Sequence, residues 1–394
     1  MNLPKGFRAS GVHSGIKKAS KREDIALILS DRPAVGVGVY TQNVFRAAPV
    51  LLDVERTPST SIRAVVANSG NANACTGEVG MQNALRMTEI AAAACEVNAS
   101  DVLVLSTGII GEQLPMETVE RGIEAAAKSL GDSTDSLESA ARGIMTTDTH
   151  HKIASKRIEL SGDGVTITGI AKGAAMIGPN MATMLGIILT DANVSPEIAN
   201  KVLRNAVEKS FHSISVEGHT STNDTVLLLA NGASGKTVDE NKLKSFEEAV
   251  TSVCVDLAKS IPNDGEGATH LIEIRITGAD SDEDARTIAK TVADSALVKT
   301  AICGADPNWG RIVSAVGYAK AKVDANTLQL NMNDTLLFAD GGPVKFDAES
   351  LSESIRTNRT TRVEIDLGIG DGHADFWTCD LTQEYVTINA DYHT

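Results

Sequence analysis

Cysteine is scarce in this chain of 394 residues, and dense basic segments and long apolar runs are missing. The cysteines number five, an odd count, and include no Cys-x-x-Cys pair. This scatter argues against a disulfide framework and a structural zinc site, and it predicts reduced thiols in a cytoplasmic protein. We expect most of them to be small buried apolar residues. They are Cys75, Cys95, Cys254, Cys303 and Cys379.

Positive charge is also in short supply. The chain has 36 Lys and Arg residues against 51 Asp and Glu residues, which gives a formal net charge of −15. The nearest approach to a basic run is Lys17–Lys18 with Lys21–Arg22, which we interpret as a solvated loop. Binding to nucleic acid or to an anionic membrane requires dense basic charge, so neither is expected as a partner.

Two further absences concern targeting. The segment from Met1 to Arg8 lacks the apolar core of a signal peptide. No apolar run approaches the ~20 residues that a bilayer-spanning helix needs. The chain is long enough to bury a large core, in one large domain or two ordinary ones. We therefore expect a cytoplasmic protein that does not cross a membrane.

Helical and strand patterns alternate along the chain and predict an α/β protein. Apolar residues recur at helical spacing from Met81 to Cys95, and Ser195–Pro196 and Ser281–Asp284 have the residues of helix starts. Apolar and β-branched runs predict strands. These runs are Val102–Leu105, Val165–Ile170, Val226–Leu229, Ile272–Ile276, Val363–Leu367 and Tyr385–Ile388. In Ile272–Ile276 the isoleucines alternate with Glu273 and Arg275, which predicts a sheet with one face in water.

One loop-to-strand junction contains residues that could act in catalysis. A loop rich in Gly, Pro and Asn leads into Ala182–Thr183, and an apolar run starts directly afterwards at Met184. Cleavage before Thr183 would release an α-amino group with a pKa of about 7.7–8.0. That amine can act as the general base for the hydroxyl of the same residue. The plain alternative is a surface loop that enters a buried strand.

A second candidate feature is Thr107–Gly108, which follows the predicted strand Val102–Leu105. A hydroxyl beside a flexible backbone N–H can form an oxyanion hole, in which one donor is worth about 10²–10³ in rate. An ordinary turn would have the same composition.

These features and several others together resemble the glutamate N-acetyltransferase / ornithine acetyltransferase (ArgJ) family. The matches occur in order and are spread over the chain, which argues against chance. Besides the junction at Thr183, they are GFRA at 6–9, ANSGNANA at 67–74, STG at 106–108, TTDT at 146–149, TSTNDT at 220–225, DGEGA at 264–268 and DPNWGR at 306–311.

The resemblance implies a layered α-β-β-α sandwich that cleaves itself. It would form an α chain, 1–182, and a β chain, 183–394, interlocked as one globular unit and assembled as two α and two β chains. Acetyl would pass from N-acetylornithine to glutamate through an acetyl-Thr183 intermediate, in ping-pong order, without a cofactor or a metal. Acetyl-CoA is a possible second donor.

The resemblance also assigns roles to residues. Thr183 would be the nucleophile, released by cleavage after Ala182, and Thr107 and Gly108 would form the oxyanion hole. Most lysines are solvated and most chain termini are frayed, so Lys172 and the C-terminal residues would not be singled out without the family pattern. The strand predicted at 385–388 could anchor the C-terminal tail. The implied substrate-binding residues are Thr146, Lys172, Thr183, Glu266, Asn389 and Thr394.

The chain departs from the family pattern at several positions. Ala175 stands where glycine is usual, Glu217 and His219 where aspartates are usual, His270 where lysine is typical, and His393 where arginine is common. These departures put the substrate in doubt. The alternative is a paralogous acyltransferase or aminopeptidase that acts on another amino acid or a secondary metabolite.

Other classes are less well supported. The segment 230–237, ANGASGKT, nearly reads as a phosphate-binding loop, but Ala230 replaces the first glycine and no clear helix follows directly. The sequence has no G-x-S-x-G elbow and no H-E-x-x-H pair. His150–His151 is interpreted as an exposed turn and not as a metal site.

Overall fold

The computed structural model describes residues 2–18, 20–160, 163–178 and 184–391. The chain divides into two compact units. The first unit contains 1–176, 180–212 and 219–260, and the second contains 177–179, 213–218 and 261–394. Within the described residues, no helix has both the length and the apolar character needed to cross a membrane.

Within the described residues, the first unit contains a sheet of eight strands, in the order β4-β3-β2-β8-β7-β6-β5, with β1 paired to β2. The pairs β3–β4 and β7–β8 are parallel, and the other pairs are antiparallel. The strands are β1 (Phe7–Val12), β2 (Ile25–Tyr40), β3 (Ser59–Asn71), β4 (Val102–Ile109), β5 (Lys152–Leu160), β6 (Asp163–Lys172), β7 (Leu185–Thr190) and β8 (Thr225–Ala230).

Helices cover both faces of this sheet, because successive strand residues point to opposite sides. In β2, Ile28 packs in one core with Leu137 of the helix α4, whereas Leu27 packs in a second core with Met87 of α2 and Ile123 of α3. The helices are α1 (Ala48–Arg56), α2 (Gly77–Cys95), α3 (Met116–Lys128), α4 (Thr134–Gly143), α5 (Pro196–Glu208) and α6 (Glu240–Asn263), the last three residues of which belong to the second unit.

The sheet brings together strands from both sides of the predicted cleavage point. β7 and β8 lie between β2 and β6. Lys172, the last residue of β6, pairs with Leu185, the first residue of β7. The segment that contains 182–183 therefore connects two neighbouring antiparallel strands at one end of the sheet.

The described part of the second unit contains a six-stranded sheet in the order β12-β11-β10-β13-β9-β14. Ile272, Ile274 and Ile276 of β9 are buried in its core, as their alternation predicted. The strands are β9 (Leu271–Ala279), β10 (Gln329–Met332), β11 (Thr335–Ala339), β12 (Gly342–Pro343), β13 (Thr360–Asp366) and β14 (Gly372–Cys379). The helices are α7 (Asp282–Ala293), α8 (Ala296–Cys303), α9 (Trp309–Tyr318), α10 (Ala348–Thr357) and α11 (Gln383–Asp391).

The α/β class is confirmed, and so are two predicted helix starts. The hydroxyl of Ser195 accepts from the Ile198 N–H, and that of Ser281 accepts from the Asp284 N–H. Such N-caps satisfy donors that the first helical turn leaves unpaired. The cysteines divide: Cys254 and Cys379 are buried, Cys75 is exposed, and the other two are partly buried.

The predicted strand Tyr385–Ile388 is wrong, since this segment lies in the helix α11. The Thr382 hydroxyl accepts from the Tyr385 N–H at 3.2 Å, which caps the first turn. The Thr387 hydroxyl donates to the Gln383 carbonyl one turn earlier. These local hydrogen bonds outweigh the strand preference of β-branched side chains, which depends on packing against a neighbouring strand.

Candidate active site

Thr107 and Gly108 lie at the end of β4, where that strand pairs with β3. Thr107 is buried and Gly108 is exposed. Gly108 has φ +136° and sits opposite Gly70, and a Cβ atom at this position would lie 2.3 Å from the Gly70 carbonyl carbon. Only glycine fits this conformation and this close approach. The strand end therefore exposes one backbone position directly beside a buried hydroxyl.

Lys172 contacts that hydroxyl. Its Nζ donates to Thr107 Oγ1 at 3.0 Å, and the side chain is only 2% exposed. Because the Thr107 oxygen accepts this bond, its own proton is available for another acceptor. The family resemblance implies that Lys172 binds substrate. In the structure its side chain contacts the predicted oxyanion donor, which it can orient.

Asp148 is a buried carboxylate that interacts electrostatically with Lys172. Its Oδ1 accepts from Lys152 Nζ and from the Gly173 N–H, both at 2.7 Å, and its Oδ2 accepts from the Thr146 N–H at 3.0 Å. Burial acts to raise the pKa of Asp148, but Lys152 and Lys172 outweigh burial and hold it at about 2. The carboxylate is therefore charged at neutral pH.

We call Thr107, Asp148, Lys152 and Lys172 the buried network. Lys17 lies close enough to interact with Asp148 and Lys172, and burial lowers its pKa to about 8. Its segment is a loop, as expected, but Lys17 is partly buried and donates to the Glu23 carbonyl.

A cleft opens beside this network. It has a volume of about 310 Å³, and its lining includes Arg22, Arg142 and His150–His151. Arg142 pairs with Glu23 at 2.8 Å, and Arg22 donates to the Asp148 carbonyl. His150–His151 is exposed, as expected.

Asn223 ties the start of β8 to the end of β4. Its Nδ2 donates to the carbonyls of Ala72 at 2.6 Å and Ser106 at 2.8 Å. Ser106 precedes Thr107, so this buried amide fixes the backbone of the predicted oxyanion donor. The predicted cleavage pair, Ala182 and Thr183, and the predicted Thr394 lie outside the described residues.

In the second unit, two predicted binding residues meet. Asn389 Nδ2 donates to Glu266 Oε2 at 2.8 Å, and we call these residues the tail pair. Gly267 has φ +69°, and a Cβ atom there would lie 2.6 Å from the Tyr385 nitrogen, so glycine lets α11 dock on this turn. Glu266 is half-buried and Asn389 is exposed.

Two of the departures from the family pattern have internal roles. His270 is buried, with Nδ1 3.1 Å from Asp380 Oδ2 and Nε2 3.1 Å from the Ile355 carbonyl. Glu217 Oε1 accepts from the Ile177 N–H at 2.6 Å. His219 is exposed, Ala175 is half-buried, and His393 lies outside the described residues.

The structure thus groups Thr107, Gly108, Thr146 and Lys172 in the first unit, and Glu266 and Asn389 in the second. Asp148, Lys152 and Asn223 were assigned no role from the sequence. Asp148 and Asn223 occur in the polar motifs 146–149 and 220–225, and no local sequence pattern shows that these polar side chains are buried. No group of His, Cys, Asp and Glu among the described residues has the arrangement of a metal site.

The segment 230–237, whose sequence is close to that of a phosphate-binding loop, does not have the structure of one. β8 ends at Ala230, and α6 begins only at Glu240, beyond the Gly-Lys-Thr segment. In a phosphate-binding loop the helix follows the motif directly and directs its N–H groups at the phosphates.

Comparisons with known proteins identify the family of the chain. Residues 8–394 match the ArgJ family. Proteins named arginine biosynthesis bifunctional protein ArgJ are 48% identical in Rhodopirellula baltica, over 100% of this chain and 96% of that one, and 48% identical in Geobacter sulfurreducens, over 100% of both. A crystal structure of the protein of that name from Bacillus halodurans is 38% identical, with a TM-score of 0.51, and covers 52% of this chain and 98% of that chain. The chain belongs to the ArgJ family.

Proposed function

We propose that this chain is an ornithine acetyltransferase of arginine biosynthesis that cleaves itself between Ala182 and Thr183. The observation that carries this proposal is the contact between Lys172 and Thr107 beside the exposed Gly108, at the sheet end where β6 leads towards β7. This arrangement offers two oxyanion donors, a hydroxyl and a backbone N–H, next to the segment that contains Thr183.

In the proposed reaction, the Thr183 hydroxyl attacks the acetyl carbonyl of N-acetylornithine, and its α-amino group takes the proton. Thr107 and Gly108 stabilise the oxyanion, and ornithine leaves with that proton. Glutamate then attacks the acetyl ester and leaves as N-acetylglutamate. The tail pair supplies a carboxylate for the ammonium group of the amino acid, and Thr146 and Thr394 complete the proposed substrate contacts. Lys172 acts through Thr107, which it orients.

The strand order supports a cleaved protein that stays together. β7 and β8 follow the cleavage point, yet they lie between β2 and β6, which precede it. Chains 1–182 and 183–394 would therefore share one sheet. The crystal structure of the Bacillus halodurans relative is also consistent with cleavage. The matched chain in that structure aligns over 98% of its own length but covers only 52% of this chain, as a fragment would.

Three further parts of the proposal concern partners and place. Transfer between two amides needs no cofactor. Acetyl-CoA is proposed as a second donor because the relatives above are named bifunctional proteins. We also propose a cytoplasmic assembly of two α and two β chains, which native mass spectrometry would count directly.

The test is to compare the wild type with Thr183→Ala and Thr183→Ser. Denaturing mass spectrometry should find the wild type and the serine variant cut at 182/183, and the alanine variant whole. With the wild type, N-acetylornithine and glutamate should yield ornithine and N-acetylglutamate in equal amounts, with little release of acetate. Release of acetate in place of N-acetylglutamate would instead indicate a hydrolase, and a fully active alanine variant would remove the nucleophile from the mechanism.

A further inference from the structure

The cleft beside the buried network gathers positive charge in an acidic protein. Its volume is about 310 Å³, and Arg22, Arg142, His150 and His151 line it together with Glu23. The chain as a whole has a formal net charge of −15. A concave site lined by cations attracts anions even when the rest of the protein surface repels them. The proposed mechanism gives these cleft residues no task.

Both arginines are held in place and still have donors for a ligand. Arg22 donates through Nη1 to the Asp148 carbonyl at 3.2 Å, and Arg142 donates through Nε to Glu23 at 2.8 Å. Within the described part of the chain, no group accepts from Arg22 Nε and Nη2 or from Arg142 Nη2. Guanidinium groups bind phosphate through parallel hydrogen bonds, which makes arginine the preferred residue for phosphate recognition.

Asp24 fixes the neighbouring segment that carries Lys17. Its buried carboxylate accepts from the N–H groups of residues 14–17 at 2.6–3.3 Å and from the Ser14 hydroxyl at 2.7 Å. Lys17 Nζ donates to the Glu23 carbonyl at 2.8 Å. A segment that is ordered before a ligand arrives loses less entropy on binding. The wall of the cleft is therefore preorganised.

The same lysine connects the cleft to the predicted oxyanion donors. A Cβ atom at Gly70 would lie 3.1 Å from Lys17 Cγ, and one at Gly108 would lie 2.3 Å from the Gly70 carbonyl carbon. The stem of Lys17 thus lies close to the strand end that presents Gly108, while its Nζ reaches Glu23 at the cleft. The length of one lysine side chain separates the Gly70 backbone from the wall of the cleft.

We propose, as an inference that rests on the proposed function, that this cleft binds the phosphate groups of acetyl-CoA. Arg22 and Arg142 would bind the phosphates directly. The pantetheine arm is flexible and longer than a lysine side chain, so one molecule can place its phosphates in the cleft and its thioester carbonyl at Gly108. The acetyl transfer is that of the proposed function, except that a C–S bond breaks in place of the C–N bond. The thiol of coenzyme A then takes the proton that ornithine would take.

The size of the cleft limits which part of the ligand it holds. A volume of about 310 Å³ is at the lower end of the range of small-molecule sites. It suits the phosphate-bearing end of coenzyme A, with the remainder lying along the surface. N-acetylornithine and glutamate have no phosphate, so this site would distinguish the two kinds of acetyl donor.

The main experiment measures binding and needs no turnover. Isothermal titration calorimetry compares coenzyme A with pantetheine, which lacks the phosphates, on the wild type, Arg142→Met and Arg86→Met. Arg86 is the matched control because it also pairs with two glutamates, Glu120 at 3.0 Å and Glu89 at 3.4 Å. We expect the Kd of coenzyme A to rise about tenfold in Arg142→Met and less than about twofold in Arg86→Met. Pantetheine should bind the wild type at least about tenfold more weakly than coenzyme A does.

A kinetic measurement uses the same comparison with glutamate as the acceptor. The ratio of the KM for S-acetylpantetheine to the KM for acetyl-CoA should be at least about tenfold in the wild type. That ratio should fall in Arg142→Met and persist in Arg86→Met. A merely structural effect of the Arg142 substitution would change both KM values alike and leave the ratio as it is, which would contradict the proposal.

The other outcomes are equally decisive. Equal Kd values for coenzyme A and pantetheine in the wild type, or no binding of either, would overturn the phosphate site and leave the proposed function standing. Displacement of coenzyme A by glutamate as readily as by inorganic diphosphate would show a carboxylate site in its place. A wild type that binds coenzyme A as expected, but is neither cut nor able to use N-acetylornithine, would overturn the proposed function alone.

The wild type suffices if Arg142→Met does not fold. Because salt screens interactions between exposed charges, the Kd of coenzyme A should rise with sodium chloride concentration, whereas that of pantetheine should hardly change. The same response of both probes to salt would overturn the site.

Discussion

The buried network of the first unit consists of charged groups that water does not reach, whereas the tail pair of the second unit is open to water. Asp148, Lys152 and Lys172 are each at most 3% exposed. Glu266 is half-buried and Asn389 is exposed. Charges held in a dry environment interact strongly and cannot reorganise, which suits stabilisation of a transition state. A hydrated pair adjusts easily, which suits binding and release of an amino acid. The predictions below test this division of labour.

Asp148→Asn should have the largest effect. It leaves two buried lysines without their countercharge, which typically costs about 3–5 kcal/mol. The control is Asp31→Asn, which breaks the exposed pair with Arg32 and should cost less than about 1 kcal/mol. Urea unfolding at pH 7 measures both, and transfer activity should be lost only in the first variant.

The same variant has a pH signature. The pKa of Asp148 is held at about 2, below its ordinary value near 4. Its stabilising effect is therefore complete above about pH 4 and is lost as the pH falls towards 2. The stability deficit of Asp148→Asn should be full at pH 7 and smaller at pH 3. An equal deficit at both values would mean that the charge of Asp148 is not what stabilises the fold.

Gly108→Ala should abolish most of the rate. The added Cβ would meet the Gly70 backbone at 2.3 Å and displace the strand end that presents the oxyanion donors. Loss of one such donor costs about 10²–10³ in kcat. Gly111→Ala is a close control, since Gly111 also has a positive φ, +87°, but a Cβ atom there meets nothing within 4 Å. Similar kinetics in the two variants would indicate backbone strain as the common cause.

These contrasts also show what the sequence can predict. Ile272, Ile274 and Ile276 alternate with polar residues, and that pattern alone identified the buried face of β9. Helix caps such as Ser195 are local, and they too were predicted correctly. The segment Tyr385–Ile388 was not, because its β-branched residues favour a strand only where a neighbouring strand is available, and the capping hydroxyl of Thr382 decided the outcome.

The site divides along the same line. The position of Thr107–Gly108 at the end of a strand could be predicted because these residues follow an apolar run. The contact of Thr107 with Lys172 spans 65 residues and depends on where two strands of one sheet end, which no local pattern records. Asp148 occurs in a polar run that is typical of a turn, and only its burial shows that it binds internal donors.

Lys172→Met tests whether this lysine acts through Thr107 or on the substrate. Methionine keeps the length and removes the charge-assisted hydrogen bond, worth about 1.5–3 kcal/mol. We expect kcat to fall about 10- to 100-fold with little change in KM, because Thr107 loses its orientation. Lys201→Met, at an exposed position of α5, should leave both constants unchanged. A rise in KM with an unchanged kcat would show that Lys172 binds the substrate directly.

Glu266→Gln should have the smallest effect and should change binding more than rate. Glutamine can still accept the hydrogen bond from Asn389, so the turn and α11 should keep their structure. It loses the charge that we propose for the ammonium group of the amino acid, and in a hydrated site that charge is worth about 1 kcal/mol. KM for glutamate should rise about fivefold while kcat changes less than twofold. Glu384→Gln, on the exposed face of the same helix, is the control. A loss of kcat as large as that of Gly108→Ala would place Glu266 among the groups that act in the transition state, and the division between a dry catalytic network and a hydrated binding pair would then be wrong.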